Sequence, residues 1–171
     1  MVNEMSEYCF EYLKEKIKKA SFIKFPFKHL YIENFFNNDH FEEIINSQEI
    51  APPLCNSDKT LINGLIEKGF SPVTMAGATI NIDSYIELRN KGEKLNAENS
   101  ACEALGVVLR LEKIKSSILK SVTNFVYGEN FNKTIAEKFE IKFDDCFIDG
   151  GIQKYLDGYE ISPHPDIRRK A

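Results

Sequence analysis

Tryptophan is absent from this chain, and cysteine is scarce: Cys9, Cys55, Cys102 and Cys146 are spread through 171 residues with no CxxC pair. That spacing excludes a zinc ribbon and a thioredoxin-like redox motif. It predicts reduced, mostly buried thiols in a cytoplasmic protein. No stretch is apolar and long enough to span a bilayer. The first twenty-one residues are charged and amphipathic, without the apolar core of a signal peptide. Positive charge is not in excess either. The 22 Lys and Arg against 26 Asp and Glu leave a net charge of −4. This argues against a partner held by phosphate neutralisation. No nucleic-acid and no membrane partner is therefore expected. There is no internal repeat, low-complexity tract or linker, so one domain over residues 1–171 is expected.

What is present is an ordinary globular balance, with 43% hydrophobic and 28% charged residues and thirteen Phe to fill a core. Residues 6–20 carry apolar side chains at three- and four-residue spacing, with Ser6 as a candidate N-cap and lysines on the other face. A surface helix with one face on the core fits this better than a membrane-bound helix, since acidic residues interrupt the basic face. Residues 22–36 are aromatic and alternating, which predicts strand. A short helix capped by Asp39 follows. Residues 51–97 are broken by Pro and Gly into short pieces, with a strand at 79–82 and helical turns at 84–89. From Ser100, a capping-box pattern and a stripe running from Ala104 to Val126 predict one long helix closed by Gly128. A shorter helix around Ile135–Phe139 comes next. The last thirty residues read as strands: an apolar run at Cys146–Ile148, alternation at Ile152–Leu156, and a turn at Asp157-Gly158.

The chemistry sits near the end. His164 and Asp166 are two residues apart, and on an extended backbone such side chains share a face. Pro163 and Pro165 push the residues before them towards extended geometry. An imidazole and a carboxylate held this way suit two ligands of a 2-His-1-carboxylate iron site. The tripeptide alone equally suits a surface His and Asp in a turn. The His-Pro-Asp loop of J-domain co-chaperones lies between two helices, unlike this strand-like context.

The surroundings add a resemblance. Tyr155-x-x-Gly158-x-x-Ile161-x-x-His164-x-Asp166 resembles the segment of prolyl-4-hydroxylase-like iron(II)/2-oxoglutarate oxygenases that carries the first two iron ligands. Phe25-Pro26-Phe27-Lys28-His29-Leu30-Tyr31-Ile32-Glu33-Asn34-Phe35-Phe36, followed by an amphipathic helix, looks like the entry strand and helix of the same family. The resemblance implies an α+β fold: a partial double-stranded β-helix (jelly roll) with supporting N-terminal and central helices. It implies Fe(II) on His164 and Asp166, and 2-oxoglutarate as co-substrate, with Tyr155 lining its pocket or else packing in the core. The implied reaction is hydroxylation of a C–H bond coupled to decarboxylation of 2-oxoglutarate.

The family also carries a second histidine ligand and a basic residue beyond it, and neither has a match here. His29 and His40 lie far upstream and are expected to be structural. The chain is therefore expected to be a C-terminally truncated oxygenase domain, incomplete by itself, and to self-associate through an exposed strand edge. The alternative is a non-catalytic oligomerising or partner-binding protein that reuses the fold.

Overall fold

A computed structural model describes residues 8–74, 78–93, 95, 96, 103–145, 148, 150–156 and 159–161. Among these residues there are six α-helices and six short strands. The chain forms two compact units, one of residues 1–51 and 115–149, the other of residues 52–114 and 150–171.

The first unit is helical. Its helices are α1 (Glu11–Lys19), α2 (Asn38–Ile45), α5 (Ser117–Tyr127) and α6 (Glu129–Phe139). Helix α1 packs on α6, α2 on α5, and α5 on α6. Phe10, Leu13, Ile17, Ile118, Leu119, Val122, Phe131 and Ala136 are buried here, at the helical spacing the sequence displays. Aromatic contacts tie the helices together. Phe125 lies 5.8 Å from Phe10 and 5.1 Å from Phe131 between ring centroids, a favourable separation for ring pairs. Helix α2 starts on Asn37, whose Oδ1 accepts from the His40 amide at 2.8 Å. Asn37 therefore provides the cap, and Asp39 lies in the first turn.

The second unit mixes helices with two small antiparallel sheets. Helices α3 (Asp58–Glu67) and α4 (Ile82–Lys91) accompany strands β1 (Phe70–Pro72), β2 (Leu95–Asn96), β3 (Glu103–Leu105), β4 (Val108–Leu111), β5 (Gln153–Tyr155) and β6 (Glu160–Ile161). One sheet runs β1-β4-β5 and the other β2-β3-β6. Ile62, Leu65, Phe70, Tyr85, Val107, Val108, Leu109, Leu111 and Leu156 are buried.

The mixture of helix and strand is compatible with the expected α+β class, but the expected jelly roll is corrected: among the described residues each sheet has three strands, of two to four residues, and neither closes. The long central helix is also corrected. Residues 103–105 and 108–111 are strand, and helix begins only at Ser117. The stripe Leu105, Val108, Leu111 matches a helical period, yet Val107–Leu109 is also an unbroken, fully buried apolar run. Such a run fits a buried strand equally, and β-branched Val107 and Val108 favour it. Gly128 is extended, at φ −66° and ψ 140°, and joins α5 to α6 without a left-handed cap. The aromatic stretch 22–36 forms a single antiparallel bridge, Ile23 with His29. Residues 79–82 form no strand. Cys9 and Cys55 are free and exposed, against the expectation of burial. Ser6, Ser100, Cys102, Cys146, Phe147, Asp157 and Gly158 lie outside the described residues.

Candidate functional site

The candidate ligand segment is approached through β5 and β6. These strands flank one continuous stretch, β3 and β4, which is interrupted only at Gly106 and Val107. Val108 pairs with Tyr155, and Leu105 pairs with Glu160. Gly106 and Val107 separate the two pairings on this stretch, while Leu156 follows β5 and Tyr159 precedes β6.

Tyr159 packs against this stretch. Its backbone N–H donates to the Leu156 carbonyl at 3.1 Å, and its ring covers Gly106. A Cβ at Gly106 would sit 2.1 Å from Tyr159 Cδ2. Glycine is required there because the ring occupies the space a side chain would need. Tyr159 also meets Tyr155 edge-on, with centroids 5.1 Å apart. The sequence singles out Tyr155 and not Tyr159. The signal for the latter is the glycine opposite it, legible only once the register is known.

Tyr155 is 50% exposed. It is a surface residue of β5, so the core-packing alternative does not describe it. Its hydroxyl donates to Gln153 Oε1 at 2.9 Å. Beside it lies a shallow cavity of about 190 Å³ lined by Pro52, Leu61, Leu65, Lys154, Tyr155 and Leu156. Lys154 is the cationic member of that lining. Its Nζ lies 5.9 Å from the Phe70 ring centroid. Burial, followed by repulsion from Lys68, lowers its pKa from the usual 10.5.

His164 and Asp166 lie outside the described residues. Strand β6, which precedes them in the sequence, ends at Ile161, where it is paired with Ala104 of β3. The other two histidines have structural partners. His29 Nδ1 donates to the Phe27 carbonyl at 2.8 Å. The ring of His40 lies among Tyr8, Phe10 and Tyr12, with Nδ1 at 3.0 Å from the Tyr12 hydroxyl. Among the described residues no three His, Cys, Asp or Glu side chains converge on a common metal position. None of their helices is long and apolar enough to cross a membrane.

No family model, curated protein or solved structure matches the chain.

Proposed function

We propose that this chain carries part of the metal site of an iron(II)- and 2-oxoglutarate-dependent oxygenase, with His164 and Asp166 as two of the ligands. The observation that carries the reading is the run Tyr155-x-x-Gly158-x-x-Ile161-x-x-His164-x-Asp166, entered from a paired strand. Strand β6 ends at Ile161, and the sequence that follows has prolines at 163 and 165, which dispose the residues before them to extended geometry. On an extended backbone side chains two apart share a face.

The donor set fits the metal. One imidazole nitrogen and one carboxylate are ligands that non-haem Fe(II) accepts, with positions left for further ligands and co-substrate. When bound, iron with 2-oxoglutarate supplies hydroxylating chemistry coupled to release of succinate and CO₂. The protein's own share is to orient and to exclude. Tyr155, half-exposed at the end of β5, offers its hydroxyl. To donate to a co-substrate carboxylate it exchanges its bond with Gln153. Tyr159, packed on Gly106, lies between Tyr155 and the ligand pair in the sequence.

Thermal unfolding under anaerobic conditions tests the reading. A ligand of the native state at a hundred times its Kd stabilises it by about 2.7 kcal/mol. Fe(II) should raise the unfolding midpoint of the wild-type chain and leave that of His164→Ala unmoved. An equal rise in both proteins removes His164 from the site.

A further inference from the structure

The first unit presents an aromatic tip that the oxygenase reading does not use. Ile23 and His29 exchange both backbone hydrogen bonds, each at 2.9 Å. They close a loop of five residues: Lys24, Phe25, Pro26, Phe27 and Lys28. Phe25 is 86% exposed and Phe27 67%, and Tyr31 just beyond the bridge is 69% exposed. Isolated exposed apolar residues are ordinary. Two phenylalanines either side of a proline, on a loop closed at its base, are a concentrated exception.

Positive charge predominates in the sequence around the tip, unlike in the chain as a whole. From Lys14 to Tyr31 the sequence holds six lysines and one glutamate. That glutamate, Glu15, is paired with Lys18 at 3.0 Å. Lys24 and Lys28 flank the phenylalanines directly. Lys28 Nζ lies 4.2 Å from the Phe22 ring centroid, and Lys138 Nζ lies 5.2 Å from the same centroid. Lys138 also donates to the Lys18 carbonyl at 2.8 Å. The base of the tip is therefore a lysine cluster held around Phe22, and its apex is aromatic.

We propose that the Lys24–Lys28 loop docks on an anionic lipid surface, with Phe25 and Phe27 entering the interface and Lys24 and Lys28 at headgroup level. Aromatic rings and lysines are the side chains that settle at that boundary. Each juxtamembrane lysine adds attraction to anionic lipid. Two other occupants fit less well. A second copy of the tip would bring four lysines together, and like charge opposes that contact. A single-stranded nucleic acid is bound in basic grooves with aromatic platforms, whereas these rings stand on a protruding loop.

The chain lacks tryptophan, so Phe25→Trp supplies a unique fluorophore for the test. Vesicles of phosphatidylcholine containing phosphatidylserine should co-sediment the full chain and shift the emission of the introduced indole to the blue. Phosphatidylcholine alone should bind far less. Lys24→Gln and Lys28→Gln should each weaken binding roughly fivefold at low salt. Phe25→Ser with Phe27→Ser should abolish it, and an unchanged unfolding midpoint would show that the exposed site tolerates the change. The proposal is overturned if phosphatidylserine vesicles leave the chain in the supernatant or if the double serine variant still binds. It is equally overturned if the same residues instead govern dimerisation in light scattering, or binding of a labelled single-stranded RNA.

Discussion

The carboxylate of Glu49 caps the first turn of helix α5 from outside that helix, accepting from the Ser116 amide at 2.8 Å and from the Lys115 amide at 2.6 Å. The Ser116 hydroxyl donates to its other oxygen. Glu49 is only 1% exposed, so every acceptor direction has to be satisfied by the protein. Ser116 itself makes no side-chain cap, and the remote glutamate fills the role a local N-cap would have.

Substituting this residue should be costly. Glu49→Ala leaves two part-buried amides and a hydroxyl without this partner. The expected loss is roughly 2–4 kcal/mol from charge-assisted bonds and orphaned donors. Chemical denaturation of the wild type and variant measures it. Glu49→Gln should lose less, because its amide oxygen still accepts.

The same site makes stability depend on acid. Burial acts to raise the Glu49 pKa, but the bonds from the Ser116 hydroxyl, the Ser116 amide and the Lys115 amide together hold it below the usual 4.5. A carboxyl with a depressed native pKa stabilises the fold fully above its unfolded value. Its contribution is lost as pH falls below about 4.5 and through the native pKa. Unfolding free energies measured from pH 6 to pH 3 (roughly the span of this titration) should fall more steeply for the wild type than for Glu49→Gln.

Gly106 and Tyr159 form a second coupled pair. Gly106→Ala forces the Tyr159 ring to move, since the new Cβ would lie 2.1 Å from Cδ2. Overpacking of this kind costs about 1–3 kcal/mol. Tyr159→Ala should be destabilising alone but should remove most of the penalty of Gly106→Ala. A double-mutant cycle reads the coupling directly. Additive effects would show that the ring does not depend on the glycine.

Lys154 supplies a second pH effect, in which stability again rises with pH, here because a penalty on the charged lysine is relieved. Burial first, then Lys68, lowers its pKa from 10.5. The folded state therefore disfavours the charged lysine. The penalty applies below the native pKa and is relieved as pH rises from that value towards the unfolded one. Lys68→Ser should raise the Lys154 pKa, as read by NMR of labelled lysine side chains. Lys154→Met should flatten the alkaline gain in stability.

The sequence made some elements plain and concealed others for identifiable reasons. Helices α1, α2, α4 and α6 and strand β5 follow patterns visible in the chain, amphipathic spacing and short alternation, although α2 takes its cap from Asn37 and not from Asp39. Helix α3 was hidden because its capping box uses Thr60 in place of Glu or Gln, and because Gly64 interrupts it. That glycine lies against Pro53, where a Cβ would come within 2.9 Å of Cγ. Residues 103–111 satisfied two periods at once, and the buried run Val107–Leu109 decided for strand. The aromatic stretch 22–36 alternates like a strand but finds a partner at one bridge only, leaving Phe25 and Phe27 in solvent. The Glu49 cap joins residues 67 apart in sequence, and no local pattern announces such a contact. Of the candidate site, Tyr155 lies on a strand as expected, whereas Tyr159 emerges only from the register.

The most direct test of the proposed function is anaerobic calorimetry of Fe(II) binding, with and without 2-oxoglutarate, on the wild-type chain and on Asp166→Ala. The expected result is saturable binding that strengthens with 2-oxoglutarate and disappears in the variant. Absence of binding in the wild type, or equal binding in Asp166→Ala, would contradict the assignment of His164 and Asp166 as iron ligands.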